Sequence, residues 1–222
     1  MRGRFITFEG GEGTGKSTHS TLLAARLQAL GIRVLHTREP GGSPGAEVIR
    51  YVLLSGVAKP LGVEAEALLF AAARGDHVSH TIEPALAQGT WVISDRFIDS
   101  TRVYQGTLGR LDARFIRALE RVTVGNLRPD LTFILDVPAD VGLARASKRR
   151  GEGTADRFEA ESRDFHEELR GAYRALAREE PRRCVVIDAT EPKLAVAERI
   201  WRSVEERLDS ANASAVPASA PS

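Results

Sequence analysis

Lys16, Ser17 and Thr18 follow the glycine-rich run Gly10-Gly11-Glu12-Gly13-Thr14-Gly15. Gly10, Gly15, Lys16 and Ser17 have the spacing G-x-x-x-x-G-K-[ST], a loop that cradles phosphates. Glycines let the chain curl until successive N–H groups face one anion, and a helix starting behind them adds its positive end. A lysine there reaches β- and γ-phosphates, and the Ser17 hydroxyl is placed to ligate Mg²⁺. The chemistry expected is that of a nucleoside triphosphate site. A flexible turn is the alternative, but Phe5-Ile6-Thr7-Phe8 before the loop and Leu22, Leu23, Leu27 and Leu30 behind it are the required strand and helix.

Other residues suggest a second half to the site. Asp95-Arg96 closes an apolar run; the aspartate suits Mg²⁺ held through water and the arginine a phosphate clamp, a surface ion pair being the other possibility. Asp99-Ser100-Thr101-Arg102-Val103-Tyr104-Gln105-Gly106 holds enough donors and acceptors to read a base or a sugar, or to make a polar turn. Phe70 and Arg74 share one helical face, so an aromatic plane and a guanidinium project together. They suit a base, although a core Phe70 beside a solvated Arg74 is the commoner arrangement for an isolated helix.

The elements that must position these residues are legible as strand-like runs at Phe5–Phe8, Ile32–Thr37, Trp91–Ser94, Leu131–Val137 and Cys184–Ile187, separated by helical patterns. Such alternation predicts an α/β fold with a parallel sheet covered on both faces. Ligands of such sheets lie beyond the carboxyl ends of the strands. The glycine loop, Arg38-Glu39-Pro40-Gly41-Gly42, Asp95-Arg96 and Asp188-Ala189-Thr190 all occupy such ends. Phe158, Phe165, Leu169, Tyr173 and Leu176 suggest an amphipathic helix, and Leu194, Ile200, Val204 and Leu208 a last one.

The whole chain sets bounds. Its 222 residues suit one large domain, here 1–208, and residues 209–222 are too polar and small to order themselves. A net charge of +1 gives no chain-wide basic bias for nucleic acid. Cys184 stands alone in an apolar run, which excludes an internal disulfide and predicts a buried thiol. No run has the length of a membrane span or a signal peptide, so a cytoplasmic protein without membrane partners is expected.

Together these segments resemble the thymidylate (dTMP) kinases of bacterial type, from about Arg4 to Leu208. The resemblance rests on Phe8-Glu9-Gly10 through Thr18, Thr37-Arg38-Glu39-Pro40-Gly41-Gly42, Leu69-Phe70-Ala71-Ala72-Ala73-Arg74, Asp95-Arg96-Phe97, Tyr104-Gln105-Gly106, Arg128-Pro129-Asp130-Leu131 and Ile187-Asp188-Ala189-Thr190. It implies a P-loop NTPase fold with a five-stranded parallel sheet and a short lid at about 145–157. It implies transfer of the γ-phosphoryl group of ATP to dTMP with Mg²⁺, and a homodimer. Gly10, Gly11, Glu12, Gly13, Thr14, Gly15, Lys16, Ser17 and Thr18 would bind the donor, with Arg145 against adenine and Ser17 and Asp95 at the metal. Phe70 would stack on thymine and Arg74 bond its 4-oxo group. Arg50 and Arg96 would hold the monophosphate, and Ser100, Thr101 and Gln105 would read the base. Tyr104 would lie against the deoxyribose, with Glu12 and Glu39 near sugar, phosphate and metal. Some members carry a catalytic arginine in the loop at the position of Gly13. Its absence here directs the expectation to the lid, to Arg149 or Arg150 with Arg157 in reserve. A kinase for another nucleoside monophosphate and a nucleotide-dependent switch are the alternatives; no N-K-x-D segment supports the second.

Overall fold

The computed structural model describes residues 2–151 and 158–209. Residues 152–157 of the expected lid, including Arg157, and the tail 210–222 lie outside the described residues. Five strands form, β1 (Phe5–Glu9), β2 (Val34–Arg38), β3 (Trp91–Asp95), β4 (Leu131–Asp136) and β5 (Cys184–Asp188). All pair in parallel in the order β2-β3-β1-β4-β5. Parallel neighbours need long crossovers, which helices supply. These are α1 (Lys16–Ala29), α2 (Pro44–Leu54), α3 (Gly62–His77), α4 (Glu83–Ala87), α5 (Ile98–Thr101), α6 (Ala113–Thr123), α7 (Ala139–Arg150), α8 (Arg163–Glu179) and α9 (Lys193–Val204). Three of them run on into π-helical turns, α3 into Val78–Ile82, α5 into Arg102–Leu108 and α9 into Glu205–Asp209.

The sheet is covered on both faces, which is why β1 is buried at every position. Alternation divides its side chains. Ile6 and Phe8 join Leu23 and Leu27 of α1 and Val196 and Ile200 of α9 in one core. Phe5 joins Ile82, Leu86, Phe97 and Ile98 in a second. Thr7 shares the second face, its hydroxyl 2.8 Å from that of Thr132. Glu9 follows on the same face, fully buried. A third cluster packs Leu169, Tyr173 and Leu176 of α8 against Ile134 and Cys184.

Several expected boundaries move for identifiable reasons. Strand β2 begins at Val34, because the Ile32 N–H donates to the Leu27 carbonyl and still closes α1. Leu30 and Leu194 are exposed. Phe158 lies before α8, whose start is fixed by the Ser162 hydroxyl accepting from the Phe165 N–H at 3.2 Å. Cys184 is buried as expected, and burial pushes its thiol up to about 12. Among the described residues no helix is long and apolar enough to cross a membrane.

Candidate active site

Strands β1, β2 and β3 end at one cavity of about 350 Å³. From the loop after β1 come Glu12, Gly13 and Gly15 to Thr18, and from the loop after β2 come Arg38, Glu39 and Pro40. Asp95 and Arg96 arrive from β3, and Ser100, Thr101, Tyr104 and Gln105 from α5 and the π-helical turn behind it. Helices contribute Arg50 and Leu54 of α2, Phe70 of α3 and Arg149 of α7, and Phe158 completes the lining.

The phosphate loop is tightly tied. Lys16 is buried, and its Nζ donates to the Gly11 carbonyl at 2.6 Å, while the Thr14 hydroxyl donates to the same oxygen at 3.0 Å. Burial lowers the Lys16 pKa and the Arg96 charge adds to the effect, against the pull of Glu12 and Asp95. The Ser17 hydroxyl donates to Asp95 at 2.5 Å, so two hard oxygen ligands stand together. Among the described residues no cluster of three or more His, Cys, Asp or Glu could hold a metal alone. A hydroxyl and one carboxylate are nevertheless what Mg²⁺ takes when phosphates and water complete its shell.

Arg96 stands between loop and helix. Its φ of +73° lies in the left-handed region, where a non-glycine residue is locally strained. Strand β1 holds this turn: the Arg96 N–H donates to the Phe8 carbonyl at 2.9 Å, and the Phe97 N–H donates to Glu9 at 2.8 Å. The guanidinium then donates to Glu12 at 2.5 Å, to the Ser100 hydroxyl at 3.1 Å and to the Gly10 carbonyl at 3.2 Å, and lies 5.2 Å from the Tyr104 ring centre. Burial works against ionisation of Glu12, but Lys16, Arg96 and Arg149 outweigh it and bring the carboxyl down to about 2. Glu12 is therefore a fixed anion that spaces three cations.

Some expected site residues stand elsewhere. Arg74 does not line the cavity. It is buried behind the lining, donating to Glu39 at 2.7 Å, to the Thr101 hydroxyl at 2.9 Å and to the Phe97 carbonyl at 3.0 Å. Arg145 also lies off the lining, donating to the Ala189 carbonyl at 2.8 Å beyond the end of β5. Gly10, Gly11 and Thr14 border a small pocket behind the loop instead. Of the two lid arginines only Arg149 lines the cavity; both donate to Glu159, each at 2.7 Å. Arg50 lines it while donating to the Pro40 carbonyl at 2.6 Å.

Other participants went unread in the sequence. Phe158 fits the periodicity of α8 but is part of the cavity, 6.4 Å from Phe70 and 5.1 Å from Tyr104 between ring centres. His77 is fully buried, its Nδ1 3.1 Å from Glu39. Glu9 also accepts from the Ser100 hydroxyl at 2.7 Å and the Tyr173 hydroxyl at 3.1 Å. Burial, with Asp99 nearby, raises its carboxyl to about 7 against the pull of Ser100, Arg96 and Phe97. The one available signal was its place at the end of a strand entering the phosphate loop.

Gly13 explains why no arginine stands in the loop. A Cβ there would lie 1.9 Å from the Gly142 carbonyl oxygen of α7, and φ is +67°. No side chain fits.

A phosphate loop leaving the central strand of a parallel sheet, beside a cavity that also holds an aromatic ring and several polar side chains, defines a P-loop nucleotide kinase. The family model for thymidylate kinase matches residues 8–200. The thymidylate kinase of Afipia carboxidovorans is 62% identical over 219 residues, covering 99% of this chain and 94% of its own. That of Nitrobacter winogradskyi is 62% identical over 213 residues, covering 96% and 93%. The crystal structure of thymidylate kinase from Ehrlichia chaffeensis superposes with a TM-score of 0.75 at 32% identity, covering 92% of this chain and 100% of that one. The chain belongs to the thymidylate kinase family.

Proposed function

We infer that this chain carries out the reaction of its family, transfer of the γ-phosphoryl group of ATP to dTMP to give ADP and dTDP. The observation that carries the reading is one cavity lined both by the phosphate loop, Gly13 and Gly15 to Thr18, and by Phe70, Thr101, Tyr104 and Gln105, with Arg96 and Arg149 also facing it. The acceptor is a phosphate monoester with a second pKa near ~6, already largely ionised at neutral pH, so the site needs no general base. What it needs is alignment and neutralisation of charge. Lys16 and the loop N–H groups hold the donor phosphates. Arg96 holds the acceptor phosphate, aimed by Glu12 and Ser100, and Arg50 assists from α2. Phe70 supplies the stacking surface, while Ser100, Thr101 and Gln105 supply base and sugar contacts and Tyr104 closes against the deoxyribose. Arg74 acts on the base from behind the lining, or through Thr101 to which it donates. Arg145 lies beside the backbone of Ala189 and Thr190, where adenine would pack.

Ser17 and Asp95 would hold Mg²⁺, which would supply charge neutralisation at the donor phosphates. For the charge on the transferred group we choose Arg149 over Arg150. Arg149 lines the cavity and is one of the cations that depress Glu12.

We also propose a cytoplasmic homodimer. A cytoplasmic location suits a reaction that draws on ATP. The dimer reading is supported by exposed apolar side chains on three packed helices: Val48 and Tyr51 of α2, Leu68 of α3 and Val122 of α6, the last 81% exposed. A panel of nucleoside monophosphates with ATP and Mg²⁺, followed by ADP release, tests the reaction. The expected order places dTMP first, and faster turnover of AMP, GMP or CMP would overturn the reading.

A further inference from the structure

Glu66 lies on α3 one turn before Phe70 and two before Arg74, so the three form one stripe at i, i+4 and i+8. It is only 3% exposed, and its Oε1 accepts a 2.7 Å hydrogen bond from Nε2 of Gln105, itself 2% exposed. The reaction as described above gives Glu66 no task, yet a buried acidic residue beside a ligand cavity is costly to keep without one.

The chemistry of the pair is directional. A side-chain amide has two different ends, one donating and one accepting, and its surroundings decide which faces where. A carboxylate only accepts. The NH₂ group of Gln105 therefore turns to Glu66, and a flipped amide would set its oxygen against a carboxylate oxygen. With Nε2 committed, Oε1 is the amide end left for the cavity that Gln105 lines. An acceptor there suits a base edge with an N–H between two carbonyls, as thymine has at N3. It opposes cytosine, whose N3 is itself an acceptor.

We propose that Glu66 is a specificity-positioning residue, which fixes the Gln105 amide so that the site accepts a base carrying an N3–H donor. This rests on the reading of the cavity as the dTMP site. Glu66 does not touch the nucleotide; it acts through Gln105.

The test is steady-state kinetics with dTMP and with dCMP at saturating ATP and Mg²⁺, for the wild type, Glu66→Gln and Glu66→Met. A glutamine at 66 presents either end of its own amide to Gln105, and a methionine presents neither, so both variants free Gln105 to turn over. The ratio of kcat/KM for dTMP over dCMP should fall about tenfold, the worth of one hydrogen bond to a buried group. The change should appear in KM, rising for dTMP and falling for dCMP, more than in kcat. In a Gln105→Leu background the same Glu66 substitutions should have no further effect on the ratio, because the group they act through is gone. An unchanged ratio in both variants would overturn the proposal, as would an equal change in the Gln105→Leu background. Loss of the cooperative melt in both variants would also overturn it, making Glu66 a residue of the fold alone. Failure of the wild type to turn over dTMP would instead sink the dTMP reading, which separates the two failures.

Discussion

Replacing Glu9 by glutamine tests whether a buried carboxyl beneath the acceptor site sets the pH response of the fold. Glu9 is fully buried, and burial together with Asp99 raises its carboxyl from the ordinary 4.5 to about 7. A group whose proton is held more tightly in the folded state takes up protons on folding within that interval. Stability is therefore greatest below about 4.5 as far as this group is concerned, and falls as pH rises towards 7. At about 1.4 kcal/mol per pH unit, the interval from 4.5 to about 7 is worth about 3 kcal/mol. Glutamine preserves the shape and the contacts: its oxygen takes the N–H groups of Phe97 and Ser100, and its NH₂ meets the hydroxyls of Ser100 and Tyr173, which can turn to accept. Thermal melts of both proteins at a series of pH values between 4.5 and 8 provide the assay. The wild type should lose stability relative to Glu9→Gln as pH rises, by about 3 kcal/mol, or roughly 6–12 °C in Tm for a domain of this size. Parallel pH profiles for the two proteins would refute the reasoning, and a relative loss growing towards low pH would reverse its sign.

Lys16→Ala should abolish detectable phosphoryl transfer while leaving the melting temperature within a few degrees, checked by ADP release and calorimetry. Arg149→Ala should lower kcat by about 10³-fold with a small change in the KM for dTMP, and Arg150→Ala should lower it much less; equal losses in the two would contradict the choice of Arg149. Arg183 donates to the fully buried Asp99 at 2.7 and 2.8 Å, so Arg183→Met should cost about 3 kcal/mol in urea denaturation by leaving that carboxylate only the longer 3.5 Å contact with Arg102. Asp99→Asn in the same chain should recover part of the loss. Tyr51→Glu, with its side chain 76% exposed in the described chain, should leave the fold intact and halve the mass measured by sedimentation if α2 lies in the dimer contact.

The sheet was legible because each strand is a short apolar run with polar residues at its carboxyl end. Phe5–Glu9 and Leu131–Asp136 read as continuous because helices cover both faces. The loop from Gly10 to Thr18 was legible because phosphate binding is carried by backbone geometry, which constrains sequence locally. Roles that depend on a distant partner left no such mark. Glu66 takes its meaning from Gln105, 39 positions along the chain, and His77 from Glu39, 38 positions before it. Phe158 has the right spacing for α8, and only the cap at Ser162 separates it from that helix. The π-helical turn at Arg102–Leu108 places Tyr104 and Gln105 in the cavity, and no residue in that stretch announces a widened helix. Arg74 matched the family pattern by position, but its commitment to Glu39 and Thr101 depended on two other segments meeting α3.

The contact between Gly13 and Gly142 makes α7 a ruler. Two backbones meet there with no side chain between them, and a Cβ on Gly142 would in turn stand 2.5 Å from the Glu12 carbonyl oxygen. From that point α7 runs seven residues to Arg149, about 10 Å at the rise of an α-helix. The position of Arg149 is thus measured from the phosphate loop itself, so loop and arginine are held at one spacing. The same contact isolates this arrangement from its alternative. An arginine at position 13 would first have to drive α7 away, displacing Arg149 before any new guanidinium was in place.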